Sequence, residues 1–191
     1  MARINVIILN GKPRSGKDTV VRCMRRYCDD TEYAWLHHFS TIDPVKSALR
    51  NLGWDGEKTD EVRNMLAQLK QFWVQSCDGA LRYCIDKVYS VINDKKIANE
   101  DHVIVFQIRE PDEIEKLVNA LKPMHKAYDM NCVTLFINRL EAEANACTNS
   151  ADENVGDYLY DEYIKNNGTE DDLEAKVYDY LDILLEKKRG E

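Results

Sequence analysis

Short apolar runs alternating with amphipathic stripes predict an α/β fold, a five-stranded, mainly parallel sheet covered by helices on both faces. Two observations lead there. Ile4–Asn10, His102–Ile108 and Cys132–Asn138 are nearly continuous apolar runs, the pattern of strands buried on both faces. Between them lie segments with apolar residues at helical spacing, long enough to bring the chain back for parallel pairing.

Taken in order, Ile4–Asn10 (INVIILN) is a first strand that stops at Gly11. A helix over Lys17–Tyr27 follows from the spacing of Val20, Val21 and Met24. A second strand runs from Ala34 to Phe39 and ends at Ser40. Pro44 opens a helical region, and most of Thr59–Asn93 reads as helix, with Val62, Leu66, Leu69, Phe72 and Trp73 on one face. The third strand, His102–Ile108, precedes a helix that Pro111 starts and that Ile114, Leu117, Val118 and Leu121 stripe. Cys132–Asn138 is the fourth strand, and Arg139–Tyr160 is polar and irregular. A weak fifth strand, Glu162–Lys165, leads into Asn166-Asn167-Gly168. Thr169 then caps a last helix, with Asp172 three residues on and Leu173, Val177, Tyr180, Leu181 and Leu184 facing inward.

The chain has 191 residues, 44% hydrophobic and 31% charged, which suits one domain with a sizeable core. Its net charge is −8, and all of the excess lies from Asn149 onward, where 13 acidic residues face 5 basic ones. An acidic chain without a basic cluster argues against duplex binding and leaves small anionic ligands, for which a few cations suffice. The first apolar run is too short for a secretion signal, and no run reaches the roughly 20 apolar residues of a membrane span. Cys23, Cys28, Cys77, Cys84, Cys132 and Cys147 form neither CxxC pairs nor His-linked metal spacings. Reduced thiols in a cytoplasmic protein are the expectation.

The segment Gly11-Lys12-Pro13-Arg14-Ser15-Gly16-Lys17-Asp18-Thr19 lies between the first strand and the first helix. Its G-x-x-x-x-G-K spacing is that of the phosphate-binding loop (P-loop), and the strand-to-helix context matches. The glycines let successive N–H groups point at a phosphate, the helix start adds partial positive charge, and Lys17 bridges outer phosphates. Arg14 and Ser15 add donors, and Thr19 is placed to reach the inner phosphate. Where a Ser or Thr usually follows the lysine stands Asp18, either a magnesium ligand or a cap of the helix start.

The string GKPRSGKDT resembles the loop of nucleoside monophosphate kinases, above all the phage-type deoxynucleoside monophosphate kinases and the animal-type phosphomevalonate kinases. Further likenesses are Asp43-Pro44-Val45-Lys46-Ser47-Ala48-Leu49, Val62-Arg63-Asn64-Met65-Leu66, Ile108-Arg109-Glu110-Pro111-Asp112, and Asp157 to Gly168 (DYLYDEYIKNNG). The resemblance implies a three-layer P-loop NTPase fold in a single domain, 1–191, with a helical acceptor-binding insertion at 40–98 and a lid at 139–160. It implies ATP and Mg2+ as cofactors and a small-molecule phosphate substrate. Lys17 matches the loop lysine; Lys46 and Arg63 match positions near the acceptor, and Arg109 the basic residue ending the third strand. Each cation has a plainer alternative, such as a pairing of Arg63 with Asp60 or Glu61 on the helix surface.

Two departures stand out. Gln107 replaces the Asp expected at the end of the third strand, and Asp18 is the carboxylate that can compensate. The lid holds no Arg or Lys between Leu140 and Tyr160 but does hold Glu141, Glu143, Asp152, Glu153 and Asp157, so Arg139 is its one candidate catalytic cation.

The expected reaction is phosphoryl transfer from ATP to a (deoxy)nucleoside monophosphate, a nucleophile that needs no general base. The alternatives are a kinase of another small phosphate ester or alcohol, such as phosphomevalonate or dephospho-coenzyme A, and an ATP-binding protein with degenerate catalysis. Phe39 or Trp73 is a candidate to stack on an acceptor base, against a packing role for either. His37, His38, His102 and His125 read as sheet or surface residues, and the chain as a monomer or homodimer.

Overall fold

A computed structural model describes residues 3–57, 59–94, 100–140 and 155–186. Its strands are β1 (Ile4–Gly11), β2 (Trp35–Ser40), β3 (His102–Gln107), β4 (Met130–Asn138) and β5 (Glu162–Lys165). They form one sheet in the order β2-β3-β1-β4-β5, and every pairing is parallel, so the sheet is wholly rather than mainly parallel. The helices are α1 (Lys17–Thr31), α2 (Asp43–Asn51), α3 (Asp60–Cys77), α4 (Gly79–Ile92), α5 (Pro111–Leu121), the short α6 (His125–Tyr128) and α7 (Glu170–Leu184).

β1 lies at the centre, and all eight of its residues are buried. Its side chains alternate between two cores. Ile7 and Leu9 join Val103, Val105, Leu135 and Ile137 against α1 and α7. Val6 and Ile8 join Ile104 and Phe106 against α4 and α5. Ile7, Ile8 and Leu9 are fully buried, and such burial contributes about 2 kcal/mol per side chain. α7 starts on a capping box, with Thr169 Oγ1 accepting from Asp172 N and Asp172 Oδ2 from Thr169 N.

The helical pattern over Thr59–Asn93 is two helices. Asp78, left-handed at φ 49°, ends α3 and turns the chain into α4. Gly79 is required there because the Trp73 ring stands 2.1 Å from where a Cβ would sit. Within 40–98, α2 and α3 share a small cluster of Val45, Leu49 and Leu66, whereas α4 lies on the sheet through Cys84, Val88 and Val91. β4 starts two residues before the expected strand, and α1 runs on to Thr31, where left-handed Glu32 stops it.

No helix among the described residues is long and apolar enough to cross a membrane. The five described cysteines are free, and burial pushes the Cys28 thiol up to about 11 and the Cys84 thiol to about 12, which leaves both protonated. Cys147 lies outside the described residues.

A candidate phosphate-binding site at the end of the central strand

From β1 the chain enters α1 and crosses to β2, beyond β3, while β4 pairs with the other side of β1. The end of β1 is thus a switch point of strand order, where open parallel sheets leave a ligand crevice. The loop Lys12–Gly16 lies in that crevice.

The backbone of the loop is wound tightly. Arg14 has φ 62° and Gly16, at the N-cap of α1, has φ 97°. A Cβ on Gly16 would stand 2.4 Å from Asn166 Nδ2, so this position needs both the freedom and the smallness of glycine. Asn166, just beyond β5, donates from Nδ2 to Ser15 O (2.9 Å), and its own N–H donates to Asn138 O (2.7 Å). Lys17 Nζ donates to Gly11 O and to Lys12 O (2.8 Å for the latter), so the ammonium rests against the carbonyls of its own loop. Ser15 Oγ is buried with no hydrogen-bond partner among the described residues. A loop with left-handed turns, an ammonium in its mouth and an orphaned hydroxyl fits a bound phosphate.

Asp18 and Gln107 stand together: Gln107 Nε2 donates to Asp18 Oδ1 at 3.1 Å. Gly16 is the N-cap of α1, and no side-chain cap bond forms there. The carboxamide that stands at the end of β3 in place of the expected Asp is therefore in contact with the carboxylate in the first turn of α1. His38, on the same sheet face, is held below its ordinary basicity by burial. Among the described residues no cluster of three His, Cys, Asp or Glu side chains has the form of a protein-only metal site.

The remaining candidates are spread around this crevice. Arg109 follows β3 by two residues, is exposed, and its carbonyl accepts from Asn10 Nδ2 (3.0 Å). Arg139 follows β4, two residues past Ile137, the partner of Gly11 in the sheet. Arg63 lies on α3 with Asp60 at 3.8 Å, and Lys46 on α2 with Asp43 at 3.5 Å, both within one helical turn. Phe39 packs against Phe106 and Tyr83, with Lys87 Nζ 5.1 Å from its ring centre. Trp73 is taken up by the α2–α3 cluster and Gly79. Thr19 is half-buried in the first turn of α1. Of the lid span 139–160, residues 141–154 lie outside the described residues, including Glu141, Glu143, Asp152 and Glu153.

Residue-by-residue reading passed over one group. Lys70 on α3 is buried and pairs with Glu110 and, at 2.9 Å, with Glu113 at the start of α5. It ties α3 to the residue next to Arg109. Burial opposes the charge of Glu110, but Lys70 outweighs it and holds that carboxyl below its usual range. Glu113 goes the other way: burial, reinforced by the charge of Glu110, pushes it up to about 7, and its Oε2 makes no aligned hydrogen bond. The signal was Lys70 falling with Leu66, Trp73 and Cys77 on the inward face of a helix.

No protein-family model matches the chain, and no curated protein sequence matches it. Solved structures do. APS kinase from Mycobacterium tuberculosis, in complex with AMPPNP and APS, aligns with a TM-score of 0.52 at 13% identity, over 95% of this chain and 99% of that one. A mutant of the same enzyme aligns with a TM-score of 0.50 at the same identity and coverage. Thymidylate kinase from Ehrlichia chaffeensis aligns at 0.49 and 12% identity, over 95% of this chain and 99% of that one. At such identities the likeness is one of fold: this chain shares the fold of the M. tuberculosis APS kinase.

Proposed function

We propose that the chain is an ATP-dependent phosphotransferase whose acceptor is a (deoxy)nucleoside monophosphate. The observation that carries this reading is the loop Gly11–Lys17, with Lys17 resting on carbonyls that a phosphate would replace and Ser15 Oγ unpartnered beneath it. The kinase fold supports it, as does the AMPPNP held by the M. tuberculosis APS kinase.

In this reading the loop amides and Lys17 hold the outer phosphates of ATP, with Arg14 at the loop's exposed tip. Asp18 is the residue to hold magnesium: the Gln107 amide occupies Oδ1 and leaves Oδ2 to a cation. Magnesium, when bound, supplies charge neutralisation between the phosphates. Arg109 and Arg139, leaving the ends of the strands on either side of β1, neutralise the transferring group, and Lys46 and Arg63 recruit the acceptor's phosphate from α2 and α3. Arg63 must exchange Asp60 for that phosphate, a small cost because the pair is exposed and loose. The acceptor's phosphate oxygen is itself the nucleophile, so no side chain removes a proton.

A second reading, nucleotide binding without turnover, is favoured by the carboxamide of Gln107 at the end of β3. One experiment separates the two. The protein is incubated with magnesium-ATP and each nucleoside monophosphate in turn, and ADP is followed. Turnover with one acceptor, abolished in Lys17→Ala, is the expected result. Tight ATP binding with turnover on none selects the binding role, and activity surviving in Lys17→Ala refutes the loop assignment.

A further inference from the structure

β1 is apolar but for Asn5 and Asn10. Both are buried, and the contrast between them is informative. The Asn5 side chain has no hydrogen-bond partner, whereas that of Asn10, fully enclosed, uses three of its hydrogen-bonding sites. Oδ1 accepts from Gly11 N (2.8 Å). Nδ2 donates to Arg109 O (3.0 Å) and to Tyr160 Oη (2.8 Å). Tyr160 Oη donates onward to Val155 O (2.9 Å), and burial keeps this phenol protonated and able to donate. A single carboxamide thus joins residues 10, 109 and 160, which are about a hundred and fifty positions apart at the extreme.

Its first bond has a particular use. Gly11 is held at both of its backbone polar groups: its N–H by Asn10 and its C=O by Lys17. When Lys17 turns to a phosphate it must release that carbonyl, and Asn10 is then the side chain that keeps the Gly11 unit in place. The same carboxamide fixes the carbonyl of Arg109. Displacement at Gly11 therefore reaches Arg109 through two hydrogen bonds, and Val155 through three.

We propose that Asn10 is a positioning residue: it holds the phosphate loop and Arg109 in one register and transmits the loop's ligand state to residues 155–160. The proposal rests on the nucleotide-site reading above. Such a relay does not follow from packing alone, because an isosteric side chain without N–H donors would fill the same space and break it.

Hydrogen exchange of the full chain, with and without magnesium-ADP, tests it. In the wild type, ADP slows exchange in 11–19 and also in 108–113 and 155–160, by about 5-fold at the remote segments, the worth of roughly one net hydrogen bond. In Asn10→Asp the protection is confined to 11–19. Tyr160→Phe, which leaves the Asn10 bonds to Gly11 and Arg109 in place, keeps protection at 108–113 and loses it at 155–160. Remote protection unchanged in both variants, or absent from the wild type while 11–19 is protected, overturns the relay and leaves the nucleotide site standing. Absence of protection at 11–19 in the wild type overturns the nucleotide-site reading and the relay with it.

Discussion

Gly16 shows how closely the loop is built. Its φ of 97° and the 2.4 Å between a virtual Cβ and Asn166 Nδ2 mean that Gly16→Ala incurs both backbone strain and a clash. We expect a loss of about 1–3 kcal/mol in denaturant unfolding and weaker ADP binding by calorimetry. Asn166→Ala in the Gly16→Ala background removes the clash and leaves the strain, so partial recovery is expected. At this scale the sequence showed the loop, because a fixed spacing between a strand and a helix is local information. Asn166 appeared there only as part of an Asn-Asn-Gly element. Its contact with Ser15 spans 151 positions, and no local pattern reports such a pairing.

Among the elements, α3 is attached to the core by Lys70 and its two carboxylates. Removing the ammonium alone, as in Lys70→Met, strands a carboxylate pair in a buried place and should cost about 3–5 kcal/mol. Lys70→Met combined with Glu110→Gln and Glu113→Gln should recover most of it. The pH dependence has a definite sign. Glu113 binds its proton more tightly in the folded chain than unfolded, with Lys70, Glu110, Cys84 and Lys116 as its charged or titratable neighbours. Between about pH 4.5 and 7 the folded state therefore holds more protons, and this group's contribution to stability falls as pH rises. Melting temperature across that range should decline less in Glu113→Gln than in the wild type. Element type was legible from periodicity throughout, but the break at Asp78–Gly79 was not. Apolar spacing continues through it, and the break is made by left-handed Asp78, with the Trp73 ring in the space a Cβ on residue 79 would need.

At the scale of the molecule, charge distribution and site separate. The acidic excess of the last 43 residues is partly spent within the fold: Glu170 and Glu174 on α7 pair with Arg22 and Arg26 on α1, and Asp182 accepts from Tyr27 Oη. Net charge argued against a duplex partner, but it could not show that α7 acts as a counter-ion surface for α1, because that needs the fold. The sheet order has a temporal consequence as well. β1 to β4 are all made before β5, which is added at one edge and delivers Asn166 to the loop that follows β1. During synthesis the first twenty residues of the loop and its helix emerge long before the segment that braces them. A released chain truncated after residue 160 should thus pair β1, β3 and β4 yet fail to retain ADP, while one extended through α7 retains it. ADP-binding assays on the released chains of the two lengths would show whether competence arrives only with the final sixth of the chain.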